Sequence, residues 1–191
     1  MRITIPTALT LFRIALLPIM VIVFYAPFRG ANVAAAAIFI AAAITDWLDG
    51  WIARRFDMGS AFGEFLDPVA DKLMVAVTLF LLVQENPTPL MAVTSAIIVG
   101  REISISALRE WMAEIGQRGK VKVSQLAKYK TILQIVGLSC MLFRWNLPVF
   151  PGVAMPIFEI GLVLTVIAAF LTLISAISYL RAAWPDLRGT A

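Results

Sequence analysis

The sequence predicts an all-α integral membrane protein of six transmembrane helices, with both termini on the cytoplasmic side. Three observations lead there. Of the 191 residues, 61% are hydrophobic, and the mean hydropathy is +0.89, well beyond the apolar share of soluble domains. Apolar runs of about twenty residues, the length that crosses a bilayer as a helix, recur from one end of the chain to the other. Lysines and arginines gather on one side of those runs.

The first helix is expected over Thr7–Tyr25, closed by Pro27 and Gly30. The second, Asn32–Arg54, starts in an alanine-rich stretch and ends at paired arginines. The third is expected over Phe62–Gln84, followed by the breaker Asn86-Pro87-Thr88-Pro89. The fourth covers Pro89–Ile115 and the fifth Ser124–Trp145. Asn146–Pro156 reads as turns, and the sixth helix covers Pro156–Ala183. Only helices satisfy backbone groups over such lengths in lipid, and the runs lack the alternation of barrel strands. With the N-terminus inside, the external loops hold only Arg29 and Arg144 of the 16 basic residues. Trp47, Trp51, Trp111, Trp145 and Trp184 fall near the membrane edges, as an aromatic belt does. No repeat or low-complexity linker divides the chain, so residues 1–191 read as one transmembrane domain. The opening MRITIPTALTLFR does not read as a cleavable signal: Arg13 interrupts the apolar run and no small-residue cleavage site closes a short apolar core.

Composition also narrows the chemistry. Cys140 is the one cysteine and there is no histidine. A disulfide, a Cys/His zinc site and a histidine base are therefore excluded within one chain. The net charge of +4 suits anionic lipid headgroups. Because the basic residues sit at membrane edges rather than on a soluble module, no nucleic acid is expected as partner.

Acidic residues carry the strongest functional signal. Asp46 and Asp49 lie at the cytoplasmic end of the second helix, Asp67 and Asp71 at the start of the third. Residues three or four apart share a helix face, so each pair points one way. The short link Arg55–Ala61 is expected to make the two helices antiparallel neighbours and bring all four carboxylates to one depth. A carboxylate within a membrane helix costs roughly 2.5–3.5 kcal/mol, so four require compensation. Hard oxygen ligands in that number suit one or two Mg²⁺ or Mn²⁺ ions; simple salt bridging at a helix end is the plainer alternative. Gly50 and Ala53 share the acids' stripe, where small side chains admit a ligand or a packed helix. Gly63 opens the third helix with the same two uses. Arg54 presents a planar fork suited to phosphate, or anchors the helix end. Arg101 and Arg109 on the fourth helix, with Lys128 and Lys130 on the fifth, form a second cluster able to bind an acceptor's phosphate or to pair with Glu102, Glu110 and Glu114.

The run Asp46-x-x-Asp49-Gly50-x-x-Ala53-Arg54, eight residues, then Gly63-x-x-x-Asp67-x-x-x-Asp71 resembles the signature of the CDP-alcohol phosphatidyltransferases, with every fixed position filled. Ile5 to Arg13, Arg101-Glu102-Ile103, Ser106 to Glu110, Lys128 to Thr131 and Ala183 to Arg188 resemble the bacterial branch that uses glycerol 3-phosphate. Thr7 stands where many members carry asparagine. The resemblance implies a six-helix, usually dimeric transferase of the bacterial inner membrane, its site open to the cytoplasm. It would take CDP-diacylglycerol and an alcohol, here sn-glycerol 3-phosphate, and release CMP. On this basis Asp46, Asp49, Asp67 and Asp71 are metal ligands, and Asp71 is also the catalytic base. Asp46, Gly50, Ala53, Arg54 and Gly63 match donor-binding positions; Arg101, Arg109, Lys128 and Lys130 would take the acceptor's phosphate.

Two alternatives stand beside this reading. One keeps the chemistry with another alcohol, such as inositol phosphate or phosphatidylglycerol. The other is an ion or proton transporter, since membrane carboxylates mark transport paths. A transport path would need acids through the bilayer's depth, whereas the outer half holds little beyond Glu85 and Glu159.

Overall fold

Length and apolarity together build the six helices. The computed structural model describes residues 4–56, 60–117, 119, 125–144, 147–150 and 153–188; the side chains of Arg54, Glu64 and residues 125–128, 147–150 and 153–154 lie outside the description. Helix α1 is Ile5–Tyr25, α2 Ala31–Phe56, α3 Ala61–Glu85, α4 Pro89–Glu114, α5 Gln125–Phe143 and α6 Ile157–Leu187. Side-chain caps fix three starts: Thr4, Ser60 and Thr88 each accept a backbone N–H three residues on. Pro6 and Pro89 occupy first-turn positions, where a missing N–H costs nothing.

By length and composition α1, α2, α4 and α6 are each sufficient to cross a membrane. Helix α3 carries Asp67, Asp71 and Lys72 in its first half, and the apolar part of α5 is confined to Tyr129–Phe143. Helix α6 runs beyond the expected Ala183 through Pro185 to Leu187, because a proline near a helix end forfeits bonding in a single turn. Between α5 and α6, where turns were expected, Leu147–Phe150 (β1) and Val153–Met155 (β2) pair as a short antiparallel hairpin.

Packing departs from the expected arrangement at one important place. Helix α1 packs on both α2 and α3, while α2 and α3 are not among the main pairs of the described residues. The acid-bearing helices are therefore joined through α1 rather than lying along one another. Four like charges repel across a direct seam, and α1 brings a cation between them, as described below. On the other side α4 packs on α3 and α6, and α5 on α2 and α6.

The seam of α5 with α6 is the closest. A Cβ on Gly161 would stand 2.6 Å from the Gly137 carbonyl oxygen, and one on Gly137 2.9 Å from the Gly161 carbonyl. Only glycine lets two backbones approach so near, as small residues do between membrane helices. Leu79, Leu82, Phe39, Ile98, Leu138 and Met141 form the buried apolar middle. At the end away from the acids, polar contacts join the helix tips: Arg144 pairs with Glu85 and lies over the Phe24 ring, and Asn32 donates to the Phe143 carbonyl.

Candidate active site

The end of α1 that holds its first turns is fixed against α3 by small polar side chains. Thr7 is buried, with its hydroxyl 2.6 Å from that of Ser60 and 2.9 Å from that of Thr4. Gly63 lies directly beneath: a Cβ there would meet the Thr7 hydroxyl at 2.8 Å and the Ser60 hydroxyl at 3.0 Å. In this structure Gly63 admits α1, the packing use of the two expected for it. Two turns further along α1, that close approach delivers Arg13.

Arg13 is 2% exposed and sits among all four aspartates. Its Nη1 is 2.8 Å from Asp46 Oδ1 and 3.5 Å from Asp67 Oδ1, and also meets Asp71 Oδ1. Its Nη2 meets Asp49 Oδ2. The expected convergence of Asp46, Asp49, Asp67 and Asp71 is thus present, and one arginine from a third helix stands at its centre. Asp49 is 3% exposed, whereas the side chains of Asp46, Asp67 and Asp71 are 41%, 40% and 46% exposed. The cage has a buried floor and an open rim.

A divalent ion fits this donor set. One carboxylate oxygen from each of Asp46, Asp49 and Asp67 can be chosen so that all three lie within 4.8 Å of one another. Ligands about 2.1 Å from Mg²⁺ stand about 4 Å apart across the ion, so small rotations complete a site of hard oxygens. Asp71 lies outside that group of three and meets it both through the shared guanidinium and through the Asp46 side chain. Gly50 and Ala53 are half-buried on the acids' helix. Arg54's side chain falls outside the description.

The second cluster forms on α4, α5 and α6. Glu102 accepts from Lys130 and, at 3.2 Å, from Arg101 Nη1. Arg101 Nη2 donates to the Ser175 hydroxyl at 2.6 Å, and its guanidinium carbon lies 5.7 Å from the Tyr179 ring centroid. The exposed Arg109 joins Arg101 and Lys130 around a cleft of about 180 Å³. Of the four basic residues expected here, the structure gathers these three; the Lys128 side chain lies outside the description.

A larger cavity, about 420 Å³, connects the two clusters. Asp71 and Lys72 of α3, Glu102 and Ile103 of α4, and Lys130 and Gln134 of α5 all line it. Asp71 consequently faces both ways, toward Arg13 and toward Lys130.

A profile of the CDP-alcohol phosphatidyltransferases matches residues 3–180. The chain belongs to the CDP-alcohol phosphatidyltransferase family. It is 47% identical over 188 residues to a protein of Escherichia coli (strain K12), covering 98% of each chain. It is likewise 47% identical to one of Salmonella choleraesuis (strain SC-B67), and 46% to one of Shigella flexneri serotype 5b, again over 98% of each chain. All three are named CDP-diacylglycerol--glycerol-3-phosphate 3-phosphatidyltransferase. With its apolar helices, the chain is a multi-pass membrane protein of a phosphatidyltransferase family.

Arg13, Ser175 and Tyr179 are the site residues that the sequence did not single out. Arginine in the middle of an otherwise apolar helix is a signal in retrospect, since a cation at that depth needs an anionic partner. Ser175 and Tyr179 give no such signal. They lie four apart on a hydrophobic helix, as countless packing residues do.

Proposed function

We propose that this protein transfers the phosphatidyl group of CDP-diacylglycerol to sn-glycerol 3-phosphate, giving phosphatidylglycerol phosphate and CMP. The observation that carries the reading is the 420 Å³ cavity lined by Asp71 together with Lys130 and Glu102. A small phosphorylated alcohol held by the basic residues would present its free hydroxyl toward the acids. The relatives' shared name supports glycerol 3-phosphate as that alcohol.

Asp46, Asp49, Asp67 and Asp71 would hold one or two Mg²⁺ or Mn²⁺ ions. When bound, such ions place positive charge on the donor's diphosphate and stabilise the departing CMP. Lys130, Arg101 and Arg109, with Lys128, bind the acceptor's phosphate, and Arg pairs with it through two parallel N–H donors. Ser175 and Tyr179 hold Arg101 in place. Asp71 takes the proton of the attacking hydroxyl, a role that falls to a carboxylate in a chain without histidine. The hydroxyl oxygen bonds to the lipid-bearing phosphorus as the bond to CMP breaks, in one in-line displacement. Gly50, Ala53 and Arg54 border the nucleotide.

The distribution of lysine and arginine supports a site opening to the cytoplasm, with both termini inside, in the bacterial inner membrane. Family resemblance supports a homodimer, with residues 1–191 as a single domain.

The test is a radiolabel assay in detergent with CDP-diacylglycerol, Mg²⁺ and a panel of labelled glycerol 3-phosphate, inositol phosphate and phosphatidylglycerol. Labelled phosphatidylglycerol phosphate should form from glycerol 3-phosphate, with CMP released in equal amount, and no new labelled lipid should form from the other two. A new labelled lipid formed preferentially from either other alcohol overturns the acceptor, and lipid bound covalently to the protein after incubation with labelled CDP-diacylglycerol alone overturns the direct displacement.

A further inference from the structure

Arginine in a spanning helix ordinarily extends its head toward the water. Arg13 instead turns inward and is among the largest fully buried side chains. Its bonding is lopsided. Nη1 faces carboxylate oxygens of Asp46, Asp67 and Asp71, Nη2 that of Asp49, and Nε is buried with no hydrogen-bond partner. A buried donor left unmade opposes the placement. The acids alone therefore draw the guanidinium in.

Those acids are the same ones assigned to the dications. Arg13 addresses one oxygen on each of the four carboxylates, including every acid in the group of three whose oxygens lie within 4.8 Å. A cation bound by these oxygens and a guanidinium bonded to them exclude each other by contact and by like charge. We propose that Arg13 is a built-in rival of the divalent metals: metal loading expels its guanidinium from the cage, and the donor's diphosphate receives it. The exchange makes metal and donor binding mutually reinforcing. An expelled arginine needs a new anion at that depth, and a diphosphate is one that a planar fork pairs with well. Thermodynamic linkage then requires that donor tighten metal by the same factor as metal tightens donor.

This inference rests on the metal-holding role proposed above, and one experiment separates the two. Mn²⁺ binding is measured by electron paramagnetic resonance on detergent-purified wild type, Arg13→Met, Arg13→Lys and Asp49→Asn, each with and without CDP. Without CDP, Arg13→Met should bind Mn²⁺ about tenfold more tightly than wild type, and Arg13→Lys about threefold, as coupled sites commonly do. Adding CDP should tighten Mn²⁺ strongly in wild type and little in either variant. Equal or weaker Mn²⁺ binding by the variants overturns the rivalry while leaving the metal site standing. An undiminished CDP effect in both variants overturns the hand-over. Wild type that binds Mn²⁺ no better than Asp49→Asn removes the metal reading itself, and the rivalry with it. Should Arg13→Met not survive purification, Arg13→Lys decides, since its ammonium keeps the charge but cannot bridge four carboxylates.

Discussion

Two charge clusters contribute residues to one cavity, and each encloses a single group of opposite sign. Around Arg13 stand four carboxylates; around Glu102 stand Arg101 and Lys130. Four acidic side chains stand against one arginine in the first cluster, and Arg101, Arg109 and Lys130 against one glutamate in the second. Support differs as well. Arg101 has a hydroxyl and an aromatic ring from α6 besides Glu102, whereas Arg13 has acids alone; the Nε of each is buried without a hydrogen-bond partner. The basic cluster is a settled structural unit that can also greet an anion. The acid cage holds four carboxylates against the one guanidinium of Arg13. Buried charge pairs are weak sources of stability, so their retention points to chemistry.

The comparison can be broken by neutralising either side. Asp49→Asn removes the floor of the cage, and turnover should fall on the order of 10³-fold or more, the scale of losing a preorganised charge stabiliser. The radiolabel assay checks it, and acceptor KM should hold wherever residual rate permits. Lys130→Met strikes the other cluster. A hydrogen bond to a charged group is worth about 1.5–3 kcal/mol, which corresponds to roughly 10- to 100-fold in acceptor KM. Initial rates at varied glycerol 3-phosphate should show that rise, with the KM for CDP-diacylglycerol unchanged.

Two smaller changes sharpen the contrast. Gly161→Ala pushes a methyl against the Gly137 carbonyl and should cost about 1–3 kcal/mol by overpacking. Thermal unfolding in detergent should show a lower Tm. Because α5 and α6 carry Lys130 and the supports of Arg101, acceptor KM should rise while Mn²⁺ binding stays intact. Ser175→Ala removes one partner of Arg101 and should raise acceptor KM only about fivefold, the equivalent of about 1 kcal/mol. A similar loss in Mn²⁺ affinity would mean that the clusters are not separable.

Much of this was legible in the sequence, for definite reasons. Helix ends such as Pro89 and Tyr25 were marked by proline and by the close of an apolar run, and the structure keeps both. Asp46 with Asp49, and Asp67 with Asp71, had to share helix faces because the helical repeat dictates it. The third dimension was hidden. Short connection of α2 to α3 suggested direct neighbours, yet a loop's length does not say which helix intrudes, and α1 does. Arg13 stands out as a break in hydrophobicity and closes the Ile5–Arg13 stretch of the resemblance, but its partners, 33 to 58 positions away, are not marked. The hairpin of β1 and β2 was read as turns, because strands of four and three residues leave too little periodicity to detect.

The central claim is that the four carboxylates grip dications. Anomalous diffraction from crystals of the protein grown with Mn²⁺ tests it most directly. One or two peaks are expected about 2.2 Å from carboxylate oxygens of Asp46, Asp49, Asp67 or Asp71, with the Arg13 guanidinium withdrawn from between them. A map without a peak in that cage, and with Arg13 still bonded to all four acids, would contradict it.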